Sequence, residues 1–109
     1  MKLKIHQPIK DFSGKSIEIG EKDKTILTFR TVIENTLNSQ SEQYPLTAEK
    51  KLQAFQIGLK LFSKKLDEYT LTIDQIAFVK ERIGLFYGPV IYGRFLELIG
   101  DETVKSAKD

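Results

Sequence analysis

The side chains in this chain that could move protons, attack carbonyls or hold metals are few and scattered. His6 is the single imidazole and there is no cysteine. Thiolate zinc sites, iron–sulfur clusters, disulfides and cysteine nucleophiles are therefore excluded within it. A histidine metal cluster or a Ser–His–Asp triad would have to be built on His6, which falls on the polar side of an alternating segment. The candidate acid/base carboxylates are Asp67/Glu68, Glu81, Glu97 and Asp101/Glu102. Glu81 stands between Lys80 and Arg82 on the polar flank of a helix, the pattern of a solvated charge. A carboxylate pair for glycoside hydrolysis should flank a cleft, and the sequence marks none. Ser13 and Ser63 have no base near them, and no Gly-x-Ser-x-Gly elbow occurs. Gly84, Gly88 and Gly93 are too widely spaced for a phosphate loop. They suit close helix approach (Gly84, Gly93) and a sharp turn before Pro89 (Gly88). No carboxylate set matches the twelve-residue calcium loop. The expectation is a protein that is not an enzyme, with no catalytic residue, metal or cofactor.

Binding chemistry leaves more trace. Residues 1–65 carry twelve Lys and Arg against seven Asp and Glu, or +5, whereas residues 66–109 carry five against eight, or −3. Lys50, Lys51, Lys60, Lys64 and Lys65 recur along one helix, with further lysines at positions 2, 4, 10 and 15. They are a candidate nucleic-acid surface, but they spread around the helix instead of forming a stripe. Arginine, which pairs bidentately with guanine edges and phosphates, occurs three times. A second candidate surface is apolar. Phe78 and Leu85 fall on the back of their helix, and Tyr87 and Tyr92 flank the Gly88-Pro89 turn; exposed aromatic and aliphatic anchors of this kind make protein interfaces.

The elements that must position these residues follow from periodicity. Leu3 and Ile5 alternate with Lys2, Lys4 and His6, which predicts a half-buried strand that Pro8 ends. Asp11 to Lys15 predicts a turn in which Asp and Ser cap backbone groups and Gly14 supplies a positive φ. Ser16–Ile19 alternates again, so residues 2–19 read as a hairpin, and Thr25–Leu27 adds a third short strand. From Thr28, an N-cap, the period changes: Phe29, Val32, Ile33, Thr36 and Leu37 form one helical face. The polar stretch 38–45 reads as a mobile loop. Thr47 caps a second helix whose core stripe is expected to be Ala48, Leu52, Phe55, Leu59, Phe62 and Leu66. Ile57 and Leu61 lie nearly opposite, which predicts a central helix packed on two sides. Leu66–Leu71 reads as a connector. Thr72-x-x-Gln75 predicts a capping box before a third helix that buries Ile73, Ile76, Val79, Ile83 and Phe86. Pro89 opens a fourth helix through Val90, Ile91, Phe95, Leu98 and Ile99, closed by Gly100.

The fold class is thus α+β: an N-terminal β-hairpin, extended to three short strands, packed on about four α-helices. At 109 residues the chain predicts one domain over 1–100 and a polar tail over 101–109. The alternating N-terminus is unlike a signal peptide and no apolar run would span a membrane, so the expected compartment is the cytoplasm and no membrane partner is expected.

The run from Leu71 to Gly84, the segment Tyr87-Gly88-Pro89-Val90, Glu97-Leu98, and the opening Leu3-Lys4-Ile5 to Pro8-Ile9-Lys10-Asp11 with Gly14 resemble small proteins encoded by bacteriophages and prophages. The loop at 38–44 is longer than that group would suggest. The group is largely without an assigned activity, so the resemblance implies a viral setting inside a bacterial host and transfers no site residues. Together with the missing chemistry, it predicts a phage accessory protein that binds another protein, from host or phage, or a second copy of itself. Two alternatives are nucleic-acid binding through the lysine-rich first half and a role as a virion or assembly component.

Overall fold

The computed structural model describes residues 2–19, 25–63 and 68–100. The chain order is β1 (Lys2–Leu3), β2 (Glu18–Ile19), β3 (Thr25–Ile26), α1 (Phe29–Asn38), α2 (Ala48–Phe62), β4 (Tyr69–Thr70), α3 (Ile73–Phe86) and α4 (Pro89–Leu98). This is the expected α+β class, with four helices and short antiparallel strand pairs near the N-terminus. The strand pairing is less local than alternation suggested. β2 pairs with β3, and a tight hairpin closes at Lys10↔Ser16, but β1 pairs with β4, Leu3 opposite Tyr69. The stretch 66–71, expected to be a connector, therefore supplies a strand. The expected tail at 101–109 lies outside the described residues.

The strand region is held by three backbone bonds that form a closed ring. Ile9 donates to the Leu27 carbonyl at 2.8 Å, Leu27 to that of Ile17 at 2.8 Å, and Ile17 back to that of Ile9 at 2.9 Å. Ile9 and Leu27 are buried, where an unpaired amide is costly. The same segment delivers the start of α1. The Phe29 and Arg30 amides, which have no partner within the helix, donate to the carbonyls of Gln7 at 3.3 Å and Ile5 at 2.7 Å, and the Thr28 hydroxyl takes the Thr31 amide. The five apolar-face residues expected on α1 are all buried.

Between Lys10 and Ser16 the turn is organised by Asp11. Its carboxylate accepts from the Ser13 hydroxyl at 2.7 Å and from the Ser13 and Lys15 amides at 2.9 and 3.0 Å, while Gly14 takes φ 91° as required. The Ser13 hydroxyl, followed by the Lys15 amide, holds the Asp11 carboxyl below its ordinary value of 3.8.

α3 is the central helix, packed against α1 and α4, while α2 packs chiefly on α1. This reverses the expected roles. With neighbours on two sides, α3 buries Phe78 as well as Ile76, Val79 and Ile83, whereas Ile73, at its first turn, is 85% exposed and outside the core. Its capping box forms as expected: Thr72 and Gln75 each satisfy the other's amide. The Tyr92 ring lies 3.1 Å from where a Gly84 Cβ would stand, so that glycine does permit close α3–α4 approach. Nothing comparable faces Gly93.

Arg82, expected on a solvated flank, is 3% exposed. One terminal nitrogen donates to the carbonyls of Ser39 at 2.8 Å and Tyr44 at 3.1 Å, and the guanidinium lies 4.9 Å from the Phe86 ring centre. Tyr44 in turn meets Phe86 edge-on at 5.9 Å. The α1–α2 loop, expected to be mobile, is thereby pinned to α3 at both ends. Its Nε has no hydrogen-bond partner among the described residues, so the two carbonyl bonds and the ring carry the charge.

Arg82→Met keeps much of the apolar stem but leaves both carbonyls without their donor. It should destabilise the protein by about 2–4 kcal/mol, read as a lower urea midpoint at unchanged m-value. For Asp11 the sign follows from its lowered pKa. The stabilisation is fully present above the ordinary carboxyl value and is lost as pH falls through the folded pKa. A carbon-13 carboxyl titration should place the Asp11 midpoint below 3.8. The stability difference between wild type and Asp11→Asn should narrow over the same acidic range.

Candidate interaction surface on the second helix

The sequence-marked chemistry does not converge. His6 Nε2 lies 3.5 Å from the Tyr69 hydroxyl with the rings tilted, as a side chain packed beside β4. Ser13 donates to Asp11, and the Ser63 hydroxyl donates to the Leu59 carbonyl within its own helix turn. Glu97 receives a bidentate contact from Arg94 at 3.1 and 3.3 Å, and Glu68 lies 3.8 Å from Lys4. Glu81 is exposed. Asp67, Asp101 and Glu102 lie outside the described residues. Among the described residues no three His, Asp or Glu side chains gather as a metal site would need, and no helix is long and apolar enough to cross a membrane.

The apolar surface proposed on α3 also changes. Phe78 is 6% exposed and belongs to the core, so it cannot serve an interface, while Tyr87 and Tyr92 are half-buried against that core. Leu85, at the margin of exposure, is the one of the four that offers surface. Phe78 stands one turn before Arg82, on the side of α3 that meets the α1–α2 loop, while Tyr92 of α4 packs at Gly84 on another side.

The large exposed apolar surface lies on α2. Ala54, Ile57 and Leu61 face the core. Leu52, Phe55 and Leu59, expected to be the core stripe, are 57%, 60% and 52% exposed. Their i, i+3, i+7 spacing aligns them along about 10 Å of helix surface. Beside them runs a groove of about 480 Å³ between α1 and α2. Leu37 and Leu46 form one wall, Phe55, Leu59 and Phe62 the other, and Gly58 the floor. A Cβ on Gly58 would meet Leu37 at an ordinary 3.9 Å. The groove is braced at one end by Arg30, which pairs with Glu34 at 3.2 Å and sits 5.0 Å from the Phe62 ring centre.

Of the lysines considered for nucleic acid, Lys50, Lys51 and Lys60 are exposed. Lys51 lies in the groove wall, and Lys60 donates to the Gln75 side chain at 3.2 Å. Lys64 and Lys65 lie outside the described residues. All three arginines are occupied within the molecule: Arg94 holds the carbonyls of Lys10 and Asp11 at 2.9 and 2.6 Å besides its contact with Glu97.

No protein-family model matches this chain, and neither does any curated protein or solved structure.

The two faces of α2 separate in stability. Phe55→Asp and Leu52→Asp should shift unfolding free energy by no more than about 0.5 kcal/mol, as surface changes do, whereas Ile57→Ala should cost about 2–4 kcal/mol. Gly58→Ala should stabilise by about 0.5–1 kcal/mol through helix propensity. Chemical denaturation of the four variants checks all three statements.

Proposed function

We propose that this protein is a non-enzymatic binding module that docks a segment of another protein on the exposed face of α2 and the adjoining groove. One observation carries the reading: a peripheral helix keeps Leu52, Phe55 and Leu59 half or more in solvent while its opposite face fills the core. A soluble domain gains nothing in stability by leaving an ordered apolar row uncovered, and such rows beside a groove serve partners. The resemblance of the chain's two ends to phage and prophage proteins supports a viral setting, in which the partner is a host or phage protein in the bacterial cytoplasm. The lysines of α2 keep nucleic acid as the competing reading, but with every arginine engaged internally it would rest on dispersed lysines alone.

The test uses a photoreactive phenylalanine analogue at position 55 and, as control, at Glu81. A protein crosslinked from position 55 is identified, purified and titrated against wild type and Phe55→Asp by calorimetry. Saturable binding that falls by at least tenfold in the variant supports the reading. A crosslinked protein that binds Phe55→Asp as well as wild type refutes it, as does binding confined to oligonucleotides and weakening steeply with salt.

A further inference from the structure

Resting on that reading, the charge and shape of the groove narrow what it accepts. We infer that the occupant is a short amphipathic helix with an apolar face and acidic flanks, contributed by another protein. The long walls are the helices α1 and α2, whose backbone groups are engaged in their own hydrogen bonds, and the loop residues Gln40 and Leu46 complete the α1 side. An extended segment laid along α1 and α2 would find no main-chain partners on either helix, whereas a helix brings its own backbone bonds and offers only side chains. Knobs spaced at i, i+3/i+4 and i+7 match the Leu52–Phe55–Leu59 row.

Charge selects the flanks. Residues 47–65 hold five lysines and one glutamate. On the described part, Lys51 stands in the groove wall and Lys60 on the far side of the row, while Glu34 is already paired with Arg30. Glutamates flanking an incoming apolar face would meet Lys51 on one side and, on the other, Lys60, whose ammonium donates only to the neutral Gln75 amide among the described residues. A second copy would bring the same lysine-rich helix against itself. Three exposed side chains are also far fewer than the ~20–30 residues a side of a stable dimer interface. The patch suits a peptide-sized contact of modest affinity.

The probes are two labelled synthetic helical peptides with leucines at the matching spacing, one with glutamates at every flanking position and the other with lysines there. Binding to the full chain is followed by fluorescence anisotropy at low salt. Wild type should bind the acidic peptide at least about tenfold more tightly than the basic one. Lys51→Glu/Lys60→Glu should abolish or reverse that preference, and Gly58→Leu, which fills the groove from its floor, should weaken the acidic peptide while circular dichroism shows the fold retained. Equal binding of both peptides, lost in Phe55→Asp, overturns the charge inference and leaves the docking site standing. Acidic-peptide binding untouched by Phe55→Asp and Gly58→Leu overturns the inference, because attraction would then act away from the groove. Binding of neither peptide overturns it too, and the crosslinked partner from position 55 then decides the site itself. Light scattering that shows a dimer in wild type and a monomer in Phe55→Asp assigns the face to a second copy and overturns it as well.

Discussion

The ring of three amides joining Ile9, Ile17 and Leu27 is the constraint on which the arrangement hangs. Each of the three segments gives one hydrogen and takes one, so none can leave without exposing two polar groups of its neighbours in surroundings that water does not reach freely. Strands of two residues could not hold a sheet by length. The closed ring replaces length with mutual dependence. It also fixes where Thr28 emerges, hence the cap and axis of α1, and with α1 the wall against which α2 and α3 are laid.

Arginine takes over where strands and helices stop. Arg82 gathers the two ends of the α1–α2 loop onto α3, Arg94 ties α4 to the carbonyls at Lys10 and Asp11, and Arg30 braces α1 against Phe62 of α2. Two of the three reach main-chain carbonyls, Arg82 with one terminal nitrogen and Arg94 with Nε and a terminal nitrogen of its planar fork, a geometry that lysine could not reproduce. The electrostatic resources that could have met phosphates are spent on architecture, and what remains at the surface of α2 is lysine beside exposed hydrocarbon.

How much of this the sequence disclosed depended on how many sides of an element are covered. α1 has one apolar face, and periodicity identified each buried residue on it. α2 has two apolar faces, and periodicity cannot rank them: which one is covered depends on where its neighbours lie, and α1 is the chief of these. The side of Ile57 and Leu61 won, and Leu52, Phe55 and Leu59 became surface. For α3 the same ambiguity resolved the other way: Phe78, one turn from Arg82 on the side that meets the α1–α2 loop, is buried. Caps at Thr28, Thr47 and Thr72 were legible because side chain and amide are neighbours in sequence. Arg82 and β4 were not, since a carbonyl acceptor or a two-residue strand leaves no pattern of residue types.

The pairing of Leu3 with Tyr69 has a consequence for biosynthesis. The first strand leaves the ribosome long before its partner has been translated, and α1 and α2 are complete while β1 is still unpaired. A nascent chain halted after α2 would carry an unpaired β1 as well as the exposed row of α2, and both can associate wrongly before the chain is complete. Synthesis of β4 removes the first of these hazards and leaves the second, so the α2 face is available from the moment that helix forms.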